Sequence, residues 1–343
     1  MRLFLFIMLV LFSGKLLAQE IRIAFGSCAN QKDSLFIFDT IQKHQPETFI
    51  FLGDNVYLDN QNKDTICLKY DSLAHKSAYQ RLKASTPILA TWDDHDYGLN
   101  DAGKELPIKE LSKIVFLDFF GEAACSNRWK HEGIYDVRYI KENGFTIQLL
   151  LLDSRTFRDS LTHFNGGPVS KDTLNYWPEY SPNTSISSEL LGEAQWIWLE
   201  TQLMMPADVR VVCSSIQFAH SFNGYESWNN FPFERKRFVD LITCTKANGV
   251  VFISGDVHLG EISKSEIDAG YPLYDITSSG LSMKWHAPTY NLNRIAGPVM
   301  QNNFGLLTVK RQNNFPILQF QLIDVNNEPK AELSIPITDL QFK

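Results

Sequence analysis

The sequence contains Thr91-Trp92-Asp93-Asp94-His95-Asp96-Tyr97-Gly98-Leu99-Asn100-Asp101, which places four acidic or imidazole side chains directly behind an apolar run. That run, residues 87–92, has the length and composition of a buried parallel strand. Gly98 and Asn100-Asp101 indicate a loop leaving the carboxyl end of the strand, which is where ligands bind in open α/β sheets. Crowded carboxylates repel one another unless a cation neutralises them. The segment therefore predicts a metal site, with a solvated and N-capped turn as the alternative.

Three other predicted strands end in residues of the same kind. These endings are Gly26-Ser27-Cys28, Gly53-Asp54-Asn55-Val56-Tyr57 and Gly255-Asp256-Val257-His258. One such ending alone is more typical of a turn than of a ligand. Four of them on strands that share one sheet edge would bring together side chains that lie far apart in the sequence.

The rest of the chain alternates between apolar strand patterns and amphipathic helical patterns. Helices are predicted over 66–84, over 108–120, from Leu191 to before Pro206, and from Pro232. Antiparallel strands are expected near the C-terminus, at 272–279, 304–310, 316–325 and 331–337. Residues 162–186 form a polar, Pro/Gly-rich segment that is typical of a lid or binding loop. This alternation favours a layered α/β fold, and no linker composition divides residues 19–343.

The side chains at the strand ends indicate which cations they would bind. Thiolate, phenolate and imidazole groups suit a transition ion such as iron, whereas carboxylate and amide oxygens suit Ca²⁺, Mg²⁺ or Mn²⁺. Two such cations can clamp a phosphoryl group and lower the pKa of a bridging water. A mixed site of two or three ions would fit this set of side chains.

Two kinds of side chain could act on a phosphate ester. Arg155, with Arg158 as a second candidate, could bind phosphate in a bidentate manner. The alternative for Arg155 is a salt bridge to Asp153 or another buried acid. His95 could protonate the leaving alkoxide, and its alternative is a structural hydrogen bond.

Composition and the N-terminus restrict the class of protein. The chain has 343 residues, 39 acidic against 32 basic, with a net charge of −7, which argues against a nucleic-acid-binding surface. Residues 1–18 have the pattern of a secretory signal peptide cleaved after Ala18, which predicts a periplasmic or secreted protein with no membrane span after cleavage. Of the five cysteines, an odd number, at least one should be unpaired, and a Cys67–Cys125 disulfide is left open.

In combination, the motifs resemble those of the alkaline phosphatase D (PhoD-like) metallophosphatase family. The shared motifs are Gly26-Ser27-Cys28, Gly53-Asp54-Asn55-Val56-Tyr57, Trp92-Asp93-Asp94-His95-Asp96 with Asn100, Asp153-Ser154-Arg155, Leu191-Gly192-Glu193-Ala194-Gln195-Trp196 and Ser254-Gly255-Asp256-Val257-His258. The resemblance implies a four-layer α/β/β/α metallophosphoesterase-like sandwich of mixed sheets. It also implies an exported phosphodiesterase or phosphomonoesterase that uses Fe³⁺ and Ca²⁺, with other divalent ions possible at the second site.

The resemblance further implies a role for each site residue. Cys28, Asp54, Tyr57 and His258 would surround the ferric ion, with Asp54 bridging to the second cation. Asp94 and Asp256, together with Asn100, would face the calcium side, and His95 would serve as general acid. The best-known members carry an N-terminal β-sandwich for which this chain has no room, so their substrate preference is not expected to carry over.

The predicted function is hydrolysis of phosphodiesters, phosphomonoesters or both by metal-activated water. The substrate would be a small-molecule or lipid phosphate ester. A phospholipase-type head-group hydrolase is the main variant, because Trp177, Trp228 and Phe231 could contact acyl or glycerol groups, although packing in the core would explain these aromatics equally well. The residues also leave open a non-catalytic phosphate- or metal-binding relative and an iron-dependent redox enzyme. They do not indicate an oligomeric state.

Overall fold

The computed structural model describes residues 20–58, 62–167, 169–171, 174–176, 178–312 and 315–343. The predicted signal peptide and Trp177 lie outside these ranges. Within them, no helix is long and apolar enough to cross a membrane. Cys67 and Cys125 are both free thiols, so the disulfide considered for them is not formed.

Strands dominate the fold and the helices lie between them in the chain. The strands are β1 (Ile21–Gly26), β2 (Thr48–Leu52), β3 (Ile88–Thr91), β4 (Asp136–Glu142), β5 (Phe145–Leu151), β6 (Thr162–His163), β7 (Val169–Lys171), β8 (Leu174–Tyr176), β9 (Tyr180–Ser181), β10 (Val209–Cys213), β11 (Val250–Ser254), β12 (Gly260–Lys264), β13 (Tyr274–Ser278), β14 (Arg294–Val299), β15 (Asn303–Gln312), β16 (Phe315–Asp324) and β17 (Pro329–Pro336). The α-helices are α1 (Ile37–Lys43), α2 (Lys63–Ala74), α3 (Ser77–Ser85), α4 (Asp94–Tyr97), α5 (Lys109–Phe119), α6 (Gly192–Leu203) and α7 (Pro232–Thr245).

Two large sheets are formed, and each mixes parallel and antiparallel strands. The first has the order β17-β16-β15-β1-β2-β3 and the second has the order β14-β12-β13-β11-β10-β5-β4. Strands β1, β2 and β3 run parallel, as do β5, β10, β11 and β13. The antiparallel strands β15, β16 and β17 extend the first sheet beyond β1. The predicted α/β fold with mixed sheets is therefore confirmed.

Alternate residues of the central strands enter different hydrophobic clusters. Ile23 and Phe25 of β1 belong to a cluster that contains residues of both sheets and of helices α6 and α7. Ala24 belongs to a second cluster with residues of α1, α2, α3 and α5. Because side chains alternate across a strand, β1 is buried on both faces, between the second sheet on one side and a helical layer on the other.

Some elements differ from the sequence-based expectation. The helix predicted over 66–84 is two helices, α2 and α3. The sequence predicts a loop over 162–186, but β6 pairs with β9 and β7 pairs with β8 in two short ribbons. Strands β12 and β14 are not predicted, because Gly-Glu-Ile-Ser-Lys and Arg-Ile-Ala-Gly-Pro-Val are short and lack the apolar continuity of the other strands.

Candidate metal centre

The ends of strands from both sheets converge on one point. Cys28 follows β1, Asp54 follows β2, and Asp256 follows β11. The Cys28 Sγ lies 3.4 Å from Oδ2 of Asp54 and 3.7 Å from the backbone oxygen of Asp256. The Tyr57 hydroxyl lies 3.1 Å from Nε2 of His258. The structure thus brings together residues from three of the four predicted strand ends. The fourth strand end contributes Asp94, which lies beside Asp54.

The candidate ligands fall into two adjoining groups. In the first, ligand atoms of Cys28, Asp54 and His258 all lie within 4.8 Å of one another, and in the second the same is true of Asp54, Asp94 and His95. Asp54 belongs to both groups, which is the position expected of a residue that bridges two cations. Tyr57 joins the first group through its contact with His258.

The backbone at these residues is held in a rarely adopted conformation. Cys28, Asp54, Asp256 and His258 have φ values of 62°, 49°, 78° and 55°, in the left-handed region that side chains other than glycine seldom adopt. Such conformations cost free energy and concentrate at functional sites. Position 53, at φ 104°, requires glycine, because the Cβ of any other residue there would lie 2.4 Å from the Cβ of Asp93.

Burial and neighbouring acidic groups disfavour the ionised forms of Asp54 and Cys28. Oδ1 of Asp54 is buried and has no hydrogen-bond partner among the described residues. Burial, together with the nearby Cys28 and acidic residues, raises the pKa of Asp54 well above its usual range. Burial also raises the pKa of the Cys28 thiol to about 12. A bound cation would reverse both shifts, since it stabilises thiolate and carboxylate forms.

The imidazoles are suited to coordination or proton transfer. Burial lowers the pKa of His258 to about 4, so its ring is neutral at pH 7 and can donate a lone pair to a metal. The ring of His95 lies against that of Tyr57, with centroids 4.2 Å apart, and His95 faces the cavity described below. His95 is therefore placed either to ligate a cation or to act on a bound substrate.

The Asp93–Asp96 cluster divides into structural and cavity-facing residues. Asp96 is buried and accepts hydrogen bonds from the backbone N–H groups of Asp93, Asn55 and Val56, at 3.0 to 3.2 Å. Asp93 precedes helix α4 and is also buried. Asp93 and Asp96 form a capping box, as the N-capped alternative expects, although the turn is buried and not solvated. Asp94 and His95 line the cavity and stay candidates for the metal site.

The structure corrects the role expected for Arg155. The sequence predicts a phosphate-binding residue, but the side chain is fully buried and does not line the cavity. Nε donates to Asp93 at 2.6 Å, and Nη1 and Nη2 donate to Glu226 at 3.0 and 2.9 Å. These buried carboxylates raise the pKa of Arg155, although desolvation alone would lower it. The alternative, a salt bridge to a buried acid, is what the structure shows, with Asp93 and Glu226 in place of Asp153.

Arg158 is likewise unavailable to a phosphate. Its guanidinium is buried, donates to the backbone oxygens of Asp159 and Asp101, and lies 3.3 Å from Glu226. Both guanidinium groups are therefore used to neutralise and fix carboxylates around the site. From the sequence, two arginines three residues apart predict that an anion binds there. The sequence does not show whether that anion is a ligand or a carboxylate of the chain.

A cavity of about 190 Å³ opens beside the two ligand groups. Its described lining residues include no lysine or arginine. Lining residues outside the predicted strand ends are Glu179, Tyr180, Asn223, Tyr225, Glu226, Trp285 and Thr289. They come from loops with no strand-end pattern, so periodicity could not find them. Asn100, predicted as a ligand, lines the cavity but is exposed and donates to Asp101 at 2.7 Å.

The aromatic residues expected to contact lipid are largely elsewhere. Trp228 and Phe231 are buried, with 0% and 1% of their surface exposed, and belong to the main core. Trp285 instead lies at the cavity, 38% exposed, with its ring 6.0 Å from that of His258. The core-packing alternative is therefore correct for Trp228 and Phe231.

Comparison with known proteins gives consistent matches in sequence and in fold. Residues 134–294 match the family model of PhoD-like phosphatases. Alkaline phosphatase D of Bacillus subtilis (strain 168) is 25% identical over 291 residues, which is 73% of this chain and 48% of that protein. The chain therefore spans about half the length of this curated relative.

Solved structures share the fold at low sequence identity. A structure of PhoD superposes with a TM-score of 0.67 at 18% identity, covering 92% of this chain and 68% of that one. A dimetal phosphatase from Danio rerio gives 0.53 at 10% identity, covering 92% and 99%. GAP50 of Plasmodium, described as an anchor in the inner membrane complex, gives 0.54 at 11% identity, covering 94% and 89%. Together with the family model, the PhoD matches confirm the resemblance of this chain to the PhoD-like phosphatases.

Proposed function

We propose that this chain is an exported, metal-dependent phosphoesterase of the alkaline phosphatase D type, with residues 19–343 as one catalytic domain. It would hydrolyse small phosphomonoesters, phosphodiesters or both. The observation that carries the proposal is the pair of adjoining ligand groups that share Asp54. Export rests on the N-terminal sequence alone.

The side chains present fit two different cations. Cys28, Tyr57 and His258 offer sulfur, phenolic and imidazole donors, which favour Fe³⁺. Asp94, with Asp256 and Asn100, offers the oxygen donors that favour Ca²⁺. When bound, such cations supply Lewis acidity and a nucleophilic water at neutral pH. The orphaned Oδ1 of Asp54 supports this assignment, because a buried carboxylate oxygen without a partner is costly.

The chain's own residues would orient and protonate the substrate. Asp94 is pinned by the N–H groups of His95 and Asp101, at 2.8 and 2.7 Å, so its position does not depend on the ligand. Burial would raise the pKa of Asp94, but Arg155, His95 and the Asp101 N–H together lower it, which keeps the carboxylate ionised. His95 lines the cavity and would give a proton to the leaving oxygen.

The matched structures also include a protein whose name indicates an anchoring role, GAP50. A non-catalytic role of that kind would not require an intact ligand set. Here two candidate ligand groups, the second of which includes the candidate acid His95, are assembled beside one cavity. This favours catalysis over simple binding.

The test is hydrolysis of a chromogenic phosphodiester and of the matching monoester by protein loaded with iron and calcium. We expect turnover of at least one ester, and its loss after treatment with a calcium chelator. The ratio of the two rates assigns the diester or monoester preference. Absence of turnover with both esters, in protein shown to contain the metals, would overturn the proposal.

A further inference from the structure

Asp101, in the cavity wall, is hydrogen-bonded to two candidate ligands of the calcium side. Its backbone N–H donates to Oδ2 of Asp94 at 2.7 Å. Its side-chain Oδ2 accepts Nδ2 of Asn100, also at 2.7 Å. All three residues line the cavity. The main chain of Asp101 therefore fixes one candidate ligand, and its side chain fixes the other.

The bond to Asn100 determines which end of that amide is available to a cation. A carboxylate accepts hydrogen bonds, so the amide presents its nitrogen to Asp101. The carbonyl oxygen of Asn100 is the other end of the amide, and it is the kind of atom that Ca²⁺ binds. Because Asn100 is exposed, packing alone would not hold this orientation.

Asp101 is itself held by contacts from other segments. The Tyr180 hydroxyl donates to the same Oδ2 at 2.5 Å, and Arg158 donates to the backbone oxygen of Asp101. Tyr180 is tied in turn to the backbone oxygen of Gly224 through its own N–H, at 2.8 Å. The φ of Asp101 is 53°, a costly left-handed value that persists where surrounding contacts maintain it. The fold therefore holds Asp101 in place without a bound cation.

These contacts are those of a residue that orients ligands. Asp101 belongs to neither of the two candidate ligand groups, and its Oδ2 already accepts two donors. Groups that ligate a metal are commonly held by hydrogen bonds to a surrounding set of residues. Loss of such a partner typically weakens metal binding by about ten-fold to one hundred-fold.

We infer that Asp101 is a positioning residue for the second cation. It sets the placement of Asp94 and Asn100 relative to each other, and through them the affinity of the site for calcium. The inference rests on the proposed function for the assignment of Asp94 and Asn100 as calcium ligands. Asp101 acts through these two residues, and no role in the chemical step is assigned to it.

The test measures calcium binding by titration calorimetry on iron-loaded wild-type protein and on Asp101→Ala. We expect the calcium dissociation constant to rise by about ten-fold to one hundred-fold in the variant, with iron content at the wild-type level. Asp101→Asn keeps an acceptor oxygen at the same position, so its calcium affinity should lie between those of wild type and Asp101→Ala.

Tyr180→Phe tests the same inference with a smaller change, and it replaces Asp101→Ala if that variant does not fold. It removes only the hydroxyl that donates to Asp101. Loss of one hydrogen bond corresponds to a rise of about three-fold to ten-fold in the calcium dissociation constant. Wild-type calcium affinity in a folded Tyr180→Phe protein would show that this contact does not position the ligands.

The matched control is Glu179→Gln. Glu179 is an exposed residue that lines the same cavity, and its Oε1 lies 3.3 Å from the Tyr180 hydroxyl. The substitution removes one negative charge, as Asp101→Ala does, but keeps the acceptor. Because solvent screens an exposed charge, we expect the calcium dissociation constant to change by less than about two-fold.

Three results would overturn the inference. The first is a rise in Asp101→Ala no larger than in Glu179→Gln, because charge alone would then explain it. The second is loss of iron together with calcium, which would indicate a general collapse of the site. The third is absence of calcium binding by the wild type. Failure of ester turnover in protein that binds calcium as expected would instead count against the proposed function.

Discussion

Replacing Arg155 with alanine separates a structural ion pair from a substrate contact. Arg155 lies between Asp93 and Glu226, with N–O distances of 2.6 to 3.0 Å to the two carboxylates and its side chain wholly buried. Truncation leaves the buried Asp93 without its arginine partner and leaves Glu226 with Arg158 alone. Breaking a buried ion pair by removal of one partner costs about 3–5 kcal/mol, a large part of the roughly 5–15 kcal/mol that stabilises a typical domain.

Urea unfolding of metal-loaded protein measures this cost, provided that the slope with denaturant is unchanged. Arg81→Ala is the matched control, since Arg81 makes the same two-pronged contact with Asp39, at 2.7 and 2.8 Å, on the exposed surface. Solvent screens that pair, so its removal should have a much smaller effect. Arg155→Lys keeps the charge but not the fork, and should fall between wild type and Arg155→Ala.

If Arg155→Ala were no less stable than Arg81→Ala, the buried ion pair would not have the structural role assigned to it. A large loss of phosphate affinity at unchanged stability would instead support a phosphate-binding arginine.

Three further predictions concern the metal centre and its supports. Cys28→Ala should remove iron and activity together while circular dichroism shows the fold retained, and full iron content in this variant would exclude Cys28 as a ligand. Ferric phenolate absorption should colour the iron-loaded protein and disappear in Tyr57→Phe, so a colourless iron-loaded wild type would count against Tyr57. Burial raises the pKa of Asp96 from 3.8 to about 7, only partly offset by its backbone hydrogen bonds. Asp96 therefore binds a proton more tightly in the folded protein than in the unfolded chain, and this stabilises the fold at low pH. The stabilisation should be lost as the pH rises from about 4 to about 7. The urea midpoint of metal-free protein should fall across this interval and fall less in Asp96→Asn, whereas equal slopes would contradict the assignment.

The strand ends were predictable because the apolar strands and the polar residues behind them are local features. Cys28, Asp54 and Asp94 follow strands of the first sheet, as the pattern predicts, whereas Asp256 follows β11 of the second sheet, and the pattern alone could not show that two sheets contribute to the site. The roles of neighbouring residues of like chemistry could not be separated. Asp94 and Asp96 are two positions apart, yet one faces the cavity and the other accepts backbone N–H groups, a difference set by the single turn of helix α4.

Residues contributed by loops could not be predicted for a different reason. Glu226 and Asn223 reach the cavity because their loop packs against residues 179–180, a contact between distant segments. Arg155 shows the same limit, since sequence indicates that a buried guanidinium needs an anion, but not which carboxylate will meet it. Such pairings depend on tertiary packing and leave no periodic signal in the chain.

If Asp54 bridges two cations, binding of both should depend on it, and elemental analysis of variants measures this dependence. Wild type, Asp54→Asn, Cys28→Ala and Asp94→Asn would each be loaded with iron and calcium, freed of excess ions and measured by elemental analysis. The shared position predicts that Asp54→Asn loses both metals, whereas Cys28→Ala loses iron alone and Asp94→Asn loses calcium alone. A wild-type level of either metal in Asp54→Asn would show that the two cations do not share Asp54.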